Sequence, residues 1–102
     1  MHAATGKERN VVVAPERLIS STRAEFRAHA LIHLDRLRAD DGALVIDLGH
    51  TVELDASGLG ILVLLQKRAK ERGLSTNLRR APERVRNLLK LTMLEFLFEF
   101  MD

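Results

Sequence analysis

The chain has 102 residues, of which 46% are hydrophobic and 29% are charged, the balance of one ordinary globular domain. It contains no cysteine, which excludes a disulfide framework, a thiolate nucleophile and a Cys-ligated zinc site. Its longest apolar run, residues 61–65, is far shorter than the ~20 residues that cross a bilayer, and no basic-then-apolar signal segment opens the chain. A cytoplasmic location without membrane insertion is therefore the default expectation.

The net charge of +2 is unevenly distributed along the sequence. Residues 67–90 contain nine lysines and arginines against only Glu71 and Glu83. Such an asymmetry indicates either a surface for an acidic partner or the solvated polar face of two helices. Nucleic acid is not expected as a partner, because no recognition motif accompanies the basic residues and the only aromatic side chains are four phenylalanines.

The first half of the chain predicts a strand, a helix and a second strand. Residues 1–9 are small and polar, which predicts a flexible tail. Three consecutive valines within residues 10–18 predict a strand that is buried on both faces, whereas Pro15 indicates an irregular end or an edge position. Thr22 and Glu25 have the spacing of a capping box and predict a helix that runs to about residue 39, and the apolar residues 43–48 predict a central strand.

The second half predicts two further helices. Residues 57–72 begin with a stretch that is apolar on nearly every side, which is typical of a buried helix. Gly73 suits the position that follows a helix C-terminus. Residues 74–79 predict a strand, and Pro82 suits the first position of a third helix that ends near Thr92.

The final segment, residues 95–101, predicts a last strand, although a helix is also compatible with its sequence. As a strand it would place Phe96, Phe98 and Phe100 on one face. The alternation of strands and helices along the whole chain indicates an α/β layer with mostly parallel strands and right-handed crossovers.

The candidate functional feature is a serine at the predicted start of the second helix. Ser57 is interpreted as the N-cap of that helix, with Gly58 and Gly60 in the first turn. Amides at a helix start lack hydrogen-bond partners within the helix, and the helix dipole places positive potential there. Both effects would stabilise a phosphate on Ser57. Two glycines let another molecule approach the backbone closely. The structural alternative is that the serine only caps the helix and the glycines only allow tight packing.

Residues 48–60, with the core sequence DASGLG, resemble the signature of STAS domains, the fold of bacterial anti-sigma factor antagonists. The resemblance extends over residues 11–100 and includes the segments 82–92 and 97–99. It implies an α/β STAS fold, with a mostly parallel mixed sheet of about four strands packed with three helices. A single STAS domain over residues 10–102 is expected to follow the tail.

The resemblance also implies a non-enzymatic function. In this family the serine that matches Ser57 is phosphorylated by a partner, a serine-kinase anti-sigma factor. The unphosphorylated protein binds that partner, and Asp55 matches an aspartate next to the acceptor. The residues expected to form the partner-binding surface are Asp55, Ala56, Ser57, Gly58, Leu59 and Gly60. The alternative is a scaffold or adaptor subunit of a stress-signalling complex or a phospholipid-transport ATPase, without a phosphorylation switch.

The sequence departs from the family pattern in three ways. The usual first edge strand and the usual final helix are expected to be missing, which would leave a sheet edge and an apolar face uncovered. A homodimer is expected to cover them. In addition, Glu53 and Met93 stand where the family usually has an apolar residue and a glycine, and Glu53 adds negative charge near Ser57.

Other chemistry is not supported by the sequence. His29 and His33 are spaced for a helical metal site, but no Cys or His-Glu-x-x-His motif accompanies them. Asp55 stands where the first glycine of a hydrolase nucleophile elbow would be, and no Gly-Lys-Ser/Thr phosphate loop is present. No catalytic residue, metal or cofactor is therefore predicted.

Overall fold

The computed structural model describes residues 9–101, so the predicted tail lies outside the described residues except for Arg9. Two short 3-10 turns, Ala39–Asp41 and Glu95–Leu97, accompany the regular elements. The strands are β1 (Val11–Val13), β2 (Arg17–Leu18), β3 (Ala43–Asp47), β4 (Glu53–Leu54), β5 (Ser75–Arg79) and β6 (Glu99–Met101). The helices are α1 (Arg23–Asp35), α2 (Ala56–Glu71) and α3 (Glu83–Leu91). None of these described helices has the length and apolar content needed to cross a membrane.

The main sheet has four parallel strands in the order β1-β3-β5-β6, which confirms the predicted fold class. A smaller parallel pair joins β2 to β4, with Arg17 opposite Glu53. The strands of the main sheet lie in the order in which the chain makes them. Right-handed crossovers therefore carry all three helices over the same face.

The core lies between that face and the helices. Val12, Ile46 and Leu78 occupy matching register positions on three neighbouring strands, and all are fully buried. One apolar stripe of each helix packs against them. From the predicted series, Phe26, Ala30 and Leu34 lie on α1, and Leu37 is buried just after the helix ends. One continuous cluster thus holds the sheet and the helices together.

The expectation that the first strand is buried on both faces is wrong. Val12 is buried, but its neighbour Val13 points to the other face of the sheet and is 52% exposed. In the described part of the chain β1 pairs only with β3, so it is an edge strand of the sheet. The run of valines reflects β-propensity at an edge position, not burial on two sides.

The predicted capping box at the start of α1 is also wrong. The Thr22 hydroxyl donates to the Arg17 carbonyl at 2.6 Å and accepts from the Ile19 amide at 3.0 Å, so it stabilises the loop before the helix. The helix then ends at Asp35, before the predicted boundary. Gly73 has the positive φ of 79° that its predicted position after α2 requires.

The last segment contains a strand, but only from residue 99, and its three phenylalanines do not share a face. Residues 95–97 form a 3-10 turn, which leaves Phe96 78% exposed while Phe98 is buried in the core. Phe100 is half-buried, and the guanidinium of Arg86 lies 4.6 Å from its ring centroid. Phe98 and Phe100 thus both pack against the core, and only Phe96 departs from the predicted face.

Asp47 closes the carboxyl end of β3 with a buried ion-pair cluster. Its side chain is only 2% exposed, and it accepts hydrogen bonds from Arg79 at 2.8 Å, from Arg80 and from the Gly49 amide. Burial would raise the pKa of Asp47, but the hydrogen bonds from Arg80, Gly49 and Arg79 outweigh it and lower the pKa to about 2. A Cβ on Gly49 would come within 2.8 Å of the Arg80 Nε, so glycine leaves room for the cluster.

We predict that this cluster makes the free energy of unfolding decrease as the pH falls in the acid range. The folded-state pKa of Asp47 lies below its ordinary value of 3.8, so its stabilising effect is present above that pH and is lost as the pH falls toward about 2. The loss should be about 2 kcal/mol. Urea unfolding between pH 5 and pH 2 measures it. D47N should flatten the dependence of the free energy of unfolding on pH between pH 5 and pH 2. D35N, at an exposed aspartate, is the control and should retain that dependence. Equal slopes of the free energy of unfolding against pH in both variants would contradict the prediction.

Candidate functional site

The start of α2 is capped by Asp55 and not by Ser57, so the predicted N-cap is wrong by two residues. One oxygen of the Asp55 carboxylate accepts from the Gly58 amide at 2.9 Å, and the other accepts from the Ser20 amide at 3.2 Å. The hydrogen bond from the Gly58 amide lowers the pKa of the Asp55 carboxyl, and the amides of Ser20 and Ser57 add to this effect. The aspartate thus anchors the helix start to the loop that follows β2.

Ser57 therefore lies inside the first turn of α2, one residue after Ala56 begins the helix. Its side chain is half-buried. No hydrogen bond within residues 9–101 engages its hydroxyl, because the capping function belongs to Asp55. The hydroxyl remains available to a reagent that approaches from outside the chain.

The two glycines of the motif differ in what surrounds them. Gly58 is buried, and a Cβ there would lie 2.1 Å from the carbonyl oxygen of Leu18, so the absence of a side chain lets α2 pack against β2. A Cβ on Gly60 would meet no atom within 4 Å, and this residue is exposed. The close approach to Gly58 is therefore made by the chain itself, and only Gly60 offers bare backbone to another molecule.

The predicted binding residues consequently divide between surface and interior. Ala56 and Gly60 are exposed, Ser57 and Asp55 are half-buried, and Leu59 is buried with Gly58. A docking partner can reach the exposed members, whereas the buried pair shapes the surface from beneath. One side of the motif therefore packs against the rest of the chain, and the other side is exposed to solvent.

The exposed side of the motif forms one wall of a groove between α1 and α2. The α1–α2 groove has a volume of about 650 Å³ and is open to solvent. Its residues are Arg23, Ala24 and Arg27 from α1, and Ala56, Ser57, Gly60, Ile61 and Leu64 from α2. Basic side chains thus share a groove with the serine hydroxyl and with two aliphatic side chains.

The arginines of this groove were not singled out by the sequence motifs. Arg23 and Arg27 are spaced by four residues, which places them on one face of α1, and this spacing was the available signal. Only the packing of α1 beside α2 brings that face to Ser57. The sequence motif therefore indicates Ser57, and only the tertiary structure adds the two arginines beside it.

Glu53 does not leave an uncompensated negative charge beside the site. Its carboxylate accepts a hydrogen bond from the Arg17 side chain at 2.8 Å, across the β2–β4 pair. Both side chains are exposed, so the pair adds little stability but balances the charge. The departure from the family pattern at this position is accommodated by a partner on the neighbouring strand.

The basic stretch 67–90 is not one continuous surface. Five of its nine basic side chains have partners within the described chain, and several of these partners are backbone carbonyls. Arg72 donates to the Leu37 carbonyl at 2.7 Å, and Arg84 donates to the Val52 carbonyl at 3.0 Å. The structural interpretation of this stretch is therefore favoured over a dedicated site for an acidic partner.

We predict opposite effects of alanine at the two glycines. G58A should destabilise the fold by about 3 kcal/mol, because the new methyl group collides with the Leu18 backbone. G60A should leave stability unchanged or raise it by up to about 1 kcal/mol, because alanine favours the helix and meets open space. Denaturant unfolding of both variants provides the measurement. Equal destabilisation by the two substitutions would show that the close approach at Leu18 does not set the position of α2.

The comparisons with known proteins agree with this fold. Residues 1–99 match a family model described as Mlab, STAS domain. No curated protein matches the sequence. The fold is similar to the crystal structure of a proposed anti-sigma factor antagonist from Thermotoga maritima, with a TM-score of 0.73 and 22% sequence identity over 91% of this chain and 80% of that chain. Because the family model extends over nearly all of the sequence, the chain belongs to the STAS domain family.

Proposed function

We propose that this STAS domain is a non-enzymatic, cytoplasmic signalling module that binds a serine-kinase anti-sigma factor and is released when Ser57 is phosphorylated. The observation that carries the proposal is the lack of a hydrogen-bond partner for the Ser57 hydroxyl among the described residues. The hydroxyl stands in the first turn of α2 without a hydrogen bond to another described residue, because Asp55 caps the helix instead. The structural similarity to a proposed anti-sigma factor antagonist supports the same assignment.

The proposed contact surface consists of the exposed part of the motif and the adjoining groove. Ala56 and Gly60 supply an area with little side-chain bulk beside Ser57. Leu64, which is half-buried, lines the same groove and supplies apolar surface for a partner side chain, whereas Ile61 lies buried at its base. A partner that packs here necessarily brings its own atoms next to the serine hydroxyl.

The proposed reaction takes place in the partner's active site. The Oγ of Ser57 forms a bond to the γ-phosphorus of ATP as the bond from that phosphorus to the bridging oxygen of ADP breaks. The hydroxyl proton passes to a base of the kinase, and ADP leaves. The product carries a charge of about −1.5 to −2 at pH 7 where a neutral hydroxyl stood before.

The added phosphate separates the proteins through the interface. A phosphate trapped in a contact without a matching cation on the partner costs several kcal/mol of desolvation free energy. A loss of about 3 kcal/mol corresponds to an affinity that is lower by about a hundredfold. The same group at a helix N-terminus stabilises the helix by only ~0.3–1 kcal/mol, so unfolding does not contribute to the release.

The second function is that of a constitutive adaptor, which would use the same groove as a permanent docking surface. The partly exposed aliphatic side chain of Leu64 favours it, because it provides contact area that does not depend on the serine. The adaptor would bind its partner equally well with or without phosphate at Ser57. An interaction that is insensitive to this group therefore selects the adaptor over the switch.

We predict one phosphate per chain, at Ser57, when the protein is incubated with Mg-ATP and a serine-kinase anti-sigma factor encoded next to its gene. S57A should abolish incorporation because it removes the acceptor oxygen. S21A, at an exposed serine before α1, is the matched control and should be phosphorylated normally. Mass spectrometry of the intact protein and its peptides gives the site. Full phosphorylation of S57A would exclude the proposed switch.

We also predict a weak homodimer, formed through the β6 edge of the sheet and the apolar residues before it. The β1 edge, which was expected to take part, lies at the opposite side of the sheet. Leu91, Met93 and Phe96 are largely exposed on the β6 side of the molecule. Sedimentation at tens of micromolar should show a species larger than 11.5 kDa. F96D should weaken the association, and I32D, at an exposed isoleucine on α1, should not. Phe98 is not substituted, because it is buried and a charge there would disturb the fold. A monomer at all concentrations would exclude the dimer.

A further inference from the structure

The α1 wall of the α1–α2 groove carries two exposed arginines without acidic partners. Within residues 9–101, neither Arg23 nor Arg27 has an ion pair or a side-chain hydrogen bond. In contrast, Arg17 pairs with Glu53, and Arg72 and Arg84 donate to backbone carbonyls. The two groove arginines thus differ from most of the other arginines described for this chain.

Among the residues that the structure describes, no acidic side chain lines the groove on either wall. Glu25 lies between the two arginines in sequence, but it faces a different depression, where it is accompanied by Phe26 and His29. The α2 wall offers Ser57, Gly60 and aliphatic side chains. The carboxylate of Asp55, which precedes the groove residue Ala56 in sequence, is already bonded to the amides of Gly58 and Ser20. The groove is therefore a positively charged recess beside a serine hydroxyl.

We propose that Arg23 and Arg27 receive the phosphate on Ser57, so that the modified protein holds α1 to α2 by an intramolecular clamp. This inference rests on the proposed phosphorylation of Ser57. The two guanidinium groups lie one helical turn apart on one face of α1. Guanidinium forks match the geometry of phosphate oxygens and form charge-assisted hydrogen bonds with them.

The clamp changes how phosphorylation acts on the binding surface. A phosphate held by Arg23 and Arg27 fills the part of the groove through which a partner would reach Leu64. The chain itself then supplies the cations that the partner lacks, so the phosphorylated form is stable alone and unfavourable in the complex. In the clamped form release is therefore driven by occupation of the groove, because a phosphate paired with these arginines is no longer an uncompensated charge.

The clamp can be tested without any kinase by incorporating phosphoserine at position 57 during translation. The second ionisation of the phosphate is then followed by ³¹P NMR as the pH is changed. Facing cations lower its pKa, whereas the carboxylate of Asp55 raises it in every variant alike. We expect the pKa of the phosphate to be lower by about half a unit or more in the parent protein than in R23A/R27A.

The matched control is R68A, which removes an exposed arginine from the far half of α2. It should leave the phosphate pKa at the parent value. Phosphoserine should also raise the unfolding temperature of the parent protein and of R68A by a few degrees, and this gain should vanish in R23A/R27A. Unphosphorylated R23A/R27A should unfold at the parent temperature, which shows that its fold is intact.

Equal phosphate pKa values in the parent protein and R23A/R27A would overturn the clamp. A shift of the same size in R68A would also overturn it, because the effect would then come from net charge and not from contact. Neither outcome depends on whether a kinase modifies Ser57. Failure of the clamp is thus distinguishable from failure of the proposed phosphorylation, which the kinase experiment with S57A reports.

Discussion

The Cα of Gly58 packs against the carbonyl oxygen of Leu18 at a separation that leaves no space for a Cβ. This contact fixes the distance between the start of α2 and the β2–β4 pair. The two hydrogen bonds of the Asp55 carboxylate, to Gly58 and to Ser20, become possible only at that distance. Ser57 is held between these fixed points, and its orientation toward the α1–α2 groove follows from them.

The cap on α2 has a chemical consequence for the serine. The hydroxyl of an N-cap serine accepts a hydrogen bond from a backbone amide. That hydrogen bond would have to break before the hydroxyl could react. Here Asp55 makes that bond, and the low pKa of its carboxyl keeps it ionised and bound. Asp55 therefore leaves Ser57 both well positioned and chemically available, which is the combination that a modification site needs.

Charged residues in this protein fall into two groups that the sequence does not distinguish. Arg79 and Arg80 surround the buried Asp47, and Arg72 ties α2 to the end of α1, so these guanidinium groups support the fold. Arg23 and Arg27 have no such partners among the described residues and lie beside Ser57. The dense basic stretch is thus mainly structural, while two arginines in an unremarkable stretch lie at the candidate site.

The sequence by itself determined the alternation of the three helices with the four strands of the main sheet, the buried stripe of α1 and the place of the DASGLG motif at a helix start, because these depend on local periodicity and local turn chemistry. It did not predict the β2–β4 pair, whose strands have only two residues each and so show no periodic pattern. The resemblance to the family was also informative at position 93, where the family usually has a glycine. Met93 has a positive φ of 60°, a conformation that favours glycine. Only the tertiary structure decided which motif residue caps α2, which glycine packs against the chain, and which arginines face Ser57. Each of these depends on a contact between segments that are distant in sequence, such as Leu18 with Gly58, and such contacts leave no periodic pattern in the sequence.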